Sequence, residues 1–108
     1  MVIISVKISK KTRAGLKRLK KKDYKSGFKS MKSYCTDIVK DYIYTGKYKN
    51  VSVTKKDIII DKATPFVLEW DEDFYKDFLV VIEEEIRDIN PQVHIILTDF
   101  VIKRGEFK

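Results

Sequence analysis

The hydrophobic and polar positions at the start of the chain alternate and then change period. In residues 2–8, VIISVKI, every second residue from Ile4 is apolar and would share one face of a β-strand. The other face would carry Ile3, Ser5 and Lys7. A lone strand of this length is not stable, and no partner strand follows across a tight turn. We therefore expect this strand to pair with the same strand of a second copy of the chain.

Two helices are predicted after this strand. Ser9 stands where a helix N-cap belongs, and Thr12, Leu16 and Leu19 then recur at helical spacing among many lysines. Residues 23–29 form a connection, and a second helix begins near Ser30 or Ser33. This helix is expected to stop at Gly46. Its apolar stripe consists of Cys35, Ile38, Val39 and Tyr42.

The second half of the chain begins with short β-branched runs. Residues 51–53 and 58–60 are candidates for a hairpin, and residues 65–70 are a further strand candidate. Asp71 would cap a longer helix that ends at residues 90–91, Asn-Pro. Its expected apolar stripe is Tyr75, Phe78, Leu79, Ile82, Ile86 and Ile89.

Residues 92–103, QVHIILTDFVIK, admit two interpretations. Their β-branched content favours a strand. Their position after Pro91, which suits the first turn of a helix, favours a second helix. In that case the second half would repeat the strand–helix–helix order of the first half, with Thr98-Asp99 echoing Thr36-Asp37. Otherwise it would form a distinct α+β extension.

Charge divides the chain more sharply than hydrophobicity does. The 108 residues are 44% hydrophobic, which suffices for a core, and carry a net charge of +7. Residues 1–56 hold 17 Lys and Arg against 3 Asp and Glu, whereas residues 57–108 hold 6 against 13. The net charges of the two halves are therefore +14 and −7. The first half has the charge of a polyanion-binding surface, and the second half would be repelled by a polyanion.

Other classes of protein fit the composition less well. No apolar run approaches the roughly 18 residues of a membrane span, and no leader segment is visible, so we expect an intracellular protein. Cys35 cannot form an internal disulfide and is predicted to be a buried apolar residue. His94 is the only histidine, and no phosphate-binding glycine loop or metal-ligand spacing is present. We therefore expect no catalytic residues, no metal and no cofactor.

Residues 3–46 resemble the ribbon–helix–helix DNA-binding proteins of the Arc and MetJ type. The resemblance lies in the opening strand with its Ser9 cap, the Leu16 and Leu19 helix, and the segment KSYCTDIVKDYIYTG. The connection between the helices is longer and more basic than is usual in that family. The resemblance implies an α+β fold in which residues 1–49 form an intertwined dimer of DNA-binding domains. Residues 50–108 would be an acidic α+β extension or a degenerate second ribbon–helix–helix.

The resemblance also implies which residues contact DNA. In that family an antiparallel two-stranded ribbon enters the major groove, so the residues expected to read bases are Ile3, Ser5 and Lys7. The start of the second helix would bind phosphate through backbone N–H groups, and basic residues would add contacts that do not depend on sequence. These expected phosphate contacts are Lys10, Lys11, Arg13, Lys29, Lys32, Ser33 and Tyr34.

The function expected from these features is sequence-specific binding of double-stranded DNA by a homodimer. A small transcriptional repressor associated with a prokaryotic, viral or plasmid nucleoid fits best. RNA remains possible on charge alone, although the basic half lacks the exposed aromatic residues of single-strand binders. An alternative is an antitoxin-like protein, or an accessory protein of plasmid partition or conjugation, whose acidic half binds a protein partner.

Overall fold

The computed structural model describes residues 1–25, 29–54, 56–57 and 65–108. Within these residues the fold is α+β, with one two-stranded antiparallel sheet and four α-helices. In chain order the elements are β1 (Val2–Lys7), α1 (Lys10–Asp23), α2 (Met31–Thr45), a short 3₁₀ helix (Lys47–Asn50), β2 (Pro65–Trp70), α3 (Glu72–Glu85) and α4 (Ile89–Lys103).

The sheet joins the two halves of the same chain. Strand β1 pairs with β2 in an antiparallel register that runs from Val2 opposite Trp70 to Lys7 opposite Pro65. This pairing corrects the expectation that β1 requires the same strand of a second copy, because β2 of the same chain pairs with one edge of β1. A pairing between residues so distant in sequence carries no local turn signal, which is why the partner strand was misidentified.

The first half folds as its local signals predict. The Ser9 hydroxyl accepts the Thr12 N–H (3.2 Å) at the start of α1, and the Ser30 hydroxyl accepts the Ser33 N–H (3.1 Å) at the start of α2. Gly46 ends α2 with φ 79°, a left-handed conformation that costs glycine little. The predicted apolar stripes of both helices are buried.

The second half also runs strand, helix, helix. The Asp71 carboxylate caps α3 as predicted by accepting the Phe74 N–H (2.8 Å), a contact that lowers the pKa of Asp71. Residues 92–103 belong to α4, so the interpretation of this stretch as a strand is wrong. Residues 92–99 are all buried, and a helix buried on every side shows no apolar periodicity. Its β-branched composition was therefore misleading.

The boundary between α3 and α4 differs from the sequence prediction. Helix α3 ends at Glu85, and Ile86 follows with φ 52° rather than continuing the helix to Asn90. The side chains of α3 that are fully buried are Phe74, Phe78 and Val81, whereas Leu79 and Ile86 of the predicted stripe are exposed. Pro91 lies in the first turn of α4, where its missing N–H breaks no helical hydrogen bond.

One hydrophobic core contains buried residues of both halves. Helix α2 packs on β2, α4 packs on β1, and α1 packs against α4. Trp70 stacks edge-on against Phe74 and Phe78, with ring centroids 4.9 Å apart in each pair. Its indole N–H donates to the Thr36 hydroxyl (3.2 Å). Each half therefore completes the core of the other half.

Two further segments bear on the sequence predictions. Residues 51–54 belong to neither a helix nor a strand, and residues 58–60, the second run of the candidate hairpin, lie outside the described residues. Within the described ranges, no helix combines the length and apolar character needed to cross a membrane.

Candidate nucleic-acid interface

The outer face of the sheet presents the three residues expected to read bases. Ile3, Ser5 and Lys7 are exposed, and Ile3 retains 68% of its accessible surface, whereas the alternate residues Ile4 and Val6 are buried. The alternation predicted for this strand is therefore confirmed, and its polar face is open to solvent.

Strand β2 contributes the other half of this face. Residues opposite each other in an antiparallel pair share a face of the sheet. By the register, Glu69 lies opposite Ile3, Val67 opposite Ser5, and Pro65 opposite Lys7. Glu69 and Pro65 are exposed and Val67 is half-buried. We call these six residues the ribbon face.

Sequence reasoning identified the β1 side of the ribbon face and missed the β2 side. The sequence predicts a strand candidate over residues 65–70 but carries no signal for its partner. Only its pairing with β1 places Glu69 and Val67 beside the predicted base-reading residues.

Asn90 at the start of α4 holds one end of the ribbon. Its Oδ1 accepts the Lys7 N–H (2.6 Å), and its Nδ2 donates to the Lys7 carbonyl oxygen (3.3 Å). The side-chain amide thus pairs with the outer edge of β1 as another strand would. The backbone at Lys7 is fixed as a result, and this contact was not foreseen from the sequence.

Two of the basic residues at the start of α1, Lys11 and Arg13, lie beside aromatic rings. Lys10 and Lys11 are exposed, and the Lys11 Nζ lies 4.8 Å from the centroid of the Phe107 ring. The Arg13 Cζ lies 5.6 Å from the centroid of the Phe66 ring, on β2. Such cation–π contacts restrict the side chains to positions over the rings.

The start of α2 presents only part of the predicted phosphate site. Lys32 and Ser33 are exposed. Lys29 forms an ion pair with Asp37 and lies 5.3 Å from the centroid of the Tyr24 ring. Tyr34 is buried, and its hydroxyl donates to the Asp23 carboxylate (2.7 Å). The Tyr34 side chain therefore belongs to the core of the protein.

Some of the cations of α1 are neutralised by the C-terminal segment. Glu106, only 4% exposed, accepts from Arg18 Nε (3.1 Å) and Lys22 Nζ (2.8 Å). The hydrogen bonds from Lys22 and Arg18 lower the pKa of Glu106 to about 2. Within the described part of the chain, other lysines of this half are exposed and form no ion pair. They include Lys10, Lys17, Lys21 and Lys32.

The equivalent surface of the second half is acidic. Helices α1 and α3 both have 14 residues and follow their strands directly, and α2 and α4 both have 15. Where α1 ends in lysines, α3 ends in Glu83, Glu84 and Glu85. Asp88 precedes α4, and Pro91 in its first turn has no N–H to offer an anion.

The titratable residues most often used in catalysis are inside the protein. Burial raises the pKa of the Cys35 thiol to about 12. Burial lowers the pKa of His94, whose Nε2 accepts the Ser9 N–H (3.1 Å), so the ring is neutral. Among the described residues, no group of three or more potential ligands is placed to hold a metal ion.

Comparisons of the chain with protein-family models, curated proteins and solved structures found no match.

Proposed function

We propose that this protein binds double-stranded DNA by inserting the ribbon face into the major groove, as a ribbon–helix–helix contained in one chain. The supporting observation is the open ribbon face beside a strongly basic half. The strand–helix–helix order occurs twice, and the two strands pair antiparallel. Because β2 supplies the second strand, one chain is enough to form the ribbon.

The exposed β1 side chains have the chemistry needed for base recognition. The Lys7 ammonium can donate to O6 and N7 of guanine, and the Ser5 hydroxyl can pair with several base edges. Ile3 can contact a thymine methyl group. The fixed backbone of Lys7 limits the positions its side chain reaches, which favours sequence-specific contacts.

The exposed lysines of the first half would supply binding that does not depend on sequence. Lys10, Lys32 and their neighbours would neutralise phosphates and release counterions, so affinity should fall steeply as salt rises. A protein with this combination of contacts fits a small transcriptional repressor that occupies an operator.

The test is selection of bound sites from random duplexes, followed by fluorescence anisotropy on the selected site and on random DNA. Lys7→Ala should weaken binding to the selected site about tenfold or more and leave random DNA much less affected. Lys10→Ala should weaken both alike and reduce the salt slope by about one. Lys76→Ala, an exposed lysine of the acidic half, is the matched control and should weaken binding to both DNAs much less than Lys10→Ala.

Failure to select any site, or equal losses on both DNAs for Lys7→Ala, would contradict the proposed reading face. Single-stranded RNA in the same assay separates the two nucleic acids. Tighter binding of RNA than of duplex DNA would favour the RNA alternative.

A second candidate function is binding of a basic protein partner by the acidic half. It is favoured by exposed apolar residues on and after α3, namely Leu79, Val80 and Ile86, of which Ile86 is 91% exposed. Ile86 also adopts a left-handed conformation (φ 52°) that is unfavourable for a β-branched residue. A basic protein that co-purifies with the full chain and is lost with Ile86→Asn would support this antitoxin-like or accessory role.

A further inference from the structure

The two strands of the ribbon face differ in chemistry. Counted from the N-caps Ser9 and Asp71, Lys7 of β1 corresponds to Glu69 of β2. The same count relates Ser5 to Val67 and Ile3 to Pro65. The position of the Lys7 cation is thus taken on β2 by an anion, and that of the Ser5 hydroxyl by an apolar residue. The position of the aliphatic Ile3 is taken by proline.

Base recognition depends on these differences. Lys7 donates hydrogen bonds and suits guanine, whereas Glu69 only accepts them and suits the N4 amino group of cytosine. Val67 has no polar group and suits a thymine methyl. Two strands with such different side chains cannot both read the same half-site.

The surfaces on either side of the ribbon also differ in charge. Lys32, two residues after the Ser30 cap of α2, corresponds to Asn90, two residues after Asp88 of α4. Asn90 is already bonded to the Lys7 backbone, and Asp88 and Glu84 nearby in sequence are exposed carboxylates. Phosphates are attracted on the side of α1 and α2 and repelled on the side of α3 and α4.

We propose that the DNA site of this protein is non-palindromic and is bound in a single orientation, with Glu69 and Val67 as specificity-determining residues of the second half-site. This inference rests on the proposed function. A homodimeric ribbon presents the same residues twice and therefore reads an inverted repeat. Here one chain presents two different sets of residues.

Orientation can be tested by attaching a DNA-cleaving iron chelate at matched positions on α1 and α3. Ala14 and Lys76 lie five residues after their respective N-caps and are both exposed. Single cysteines, Ala14→Cys and Lys76→Cys, would be labelled selectively because Cys35 is buried. Both residues lie outside the ribbon face.

On the selected site, we expect the Ala14→Cys conjugate to cut one side only and the Lys76→Cys conjugate to cut the opposite side only. Equal cutting on both sides by each conjugate would mean two orientations and would overturn the proposal. The wild-type affinity on the same duplex, measured first, separates this outcome from a failure of DNA binding itself.

A change of specificity at Glu69 provides a second test. Glu69→Gln retains the size of the side chain and one acceptor oxygen, removes the charge and adds an N–H donor. The resulting donor–acceptor pair matches N7 and N6 of adenine, which a carboxylate cannot match. The preferred base at one position of one half-site should change from cytosine to adenine, by roughly tenfold or more in relative affinity. Preferences in the half-site read by Lys7 should not change. Unaltered preferences throughout a selected site would remove Glu69 from the reading face and overturn its assignment.

Discussion

Replacing Gly15 by alanine tests the packing of α1 on α4, because helix propensity and tertiary packing predict opposite effects. In an exposed helix this exchange stabilises by about 1 kcal/mol. In the structure, a Cβ on Gly15 would lie 2.4 Å from Val101 Cγ1 and 2.8 Å from the Glu106 carbonyl oxygen. Both distances are far below the roughly 3.5–4.0 Å of a favourable contact. Alanine therefore forces α1 and the end of α4 apart.

The magnitude follows from these two opposing effects. Overpacking a well-filled core costs about 1–3 kcal/mol and occasionally more. Val101 is fully buried and the Glu106 oxygen belongs to the backbone, so neither atom can rotate away freely. The cost therefore lies in the upper part of this range, about 2–3 kcal/mol. After the gain of about 1 kcal/mol in helix propensity, we expect Gly15→Ala to lower the free energy of unfolding by about 1–2 kcal/mol. The corresponding fall in Tm is about 4–8 °C per kcal/mol.

Urea denaturation followed by far-UV circular dichroism measures this change. Ala14→Gly is the control, since the exposed neighbour undergoes the reverse exchange without a packing contact and should cost about 1 kcal/mol through helix propensity alone. In the double variant with Val101→Ala, the penalty of Gly15→Ala should shrink because one of the two clashes is removed. A Gly15→Ala chain as stable as the wild type, or more stable, would refute the reasoning.

Two further perturbations test the contacts that join the halves. The Glu106 carboxylate has a folded-state pKa of about 2, below its unfolded value of about 4.3, so its stabilisation is complete at neutral pH and is lost as the pH falls from about 5 toward 2. Urea denaturation should therefore show the largest loss of stability in Glu106→Gln, relative to the wild type, near pH 7. This loss should disappear near pH 2. A loss of stability that does not vary with pH would exclude the ionic contact. A chain cut after residue 49 lacks β2 and α4, so the buried side chains of β1 and α1 become exposed to solvent. This chain should unfold or self-associate. A folded monomer in sedimentation analysis would show that the first half does not need the second.

Local signals in the sequence predicted the first half well. A cap such as Ser9 or Gly46 acts on the backbone within a few residues, so its position alone marks the helix end. The alternation in β1 likewise reported the burial of each side chain, because one strand face is covered and the other is open. Most of the predicted base-reading and phosphate-contacting side chains are accordingly exposed, and Tyr34 is the clear exception.

The remaining features depend on contacts between distant residues. The pairing of β1 with β2 has no signal in the sequence near either strand. The burial of α4 on all sides removed the alternation of apolar and polar residues at helical spacing that would have identified a helix. The similarity of Thr98-Asp99 to Thr36-Asp37 correctly suggested that the strand–helix–helix order repeats. It aligned α4 with α2 wrongly, however, by about one helical turn. Counted from the helix caps, the residue equivalent to Thr36 is His94. The residues of β2 that complete the ribbon face were missed for the same reason.

The most direct test of a DNA-reading ribbon formed by one chain is the stoichiometry of the protein, free and bound to its selected duplex, by native mass spectrometry. We expect the free protein at the mass of one 12.7 kDa chain and the complex at one chain per duplex. Ser5→Lys, which adds a long cation at the centre of the ribbon face and should leave the fold intact, should change the selected sequence without changing this stoichiometry. A free protein that is dimeric through β1, or a duplex that is bound only by two chains together, would contradict the single-chain ribbon.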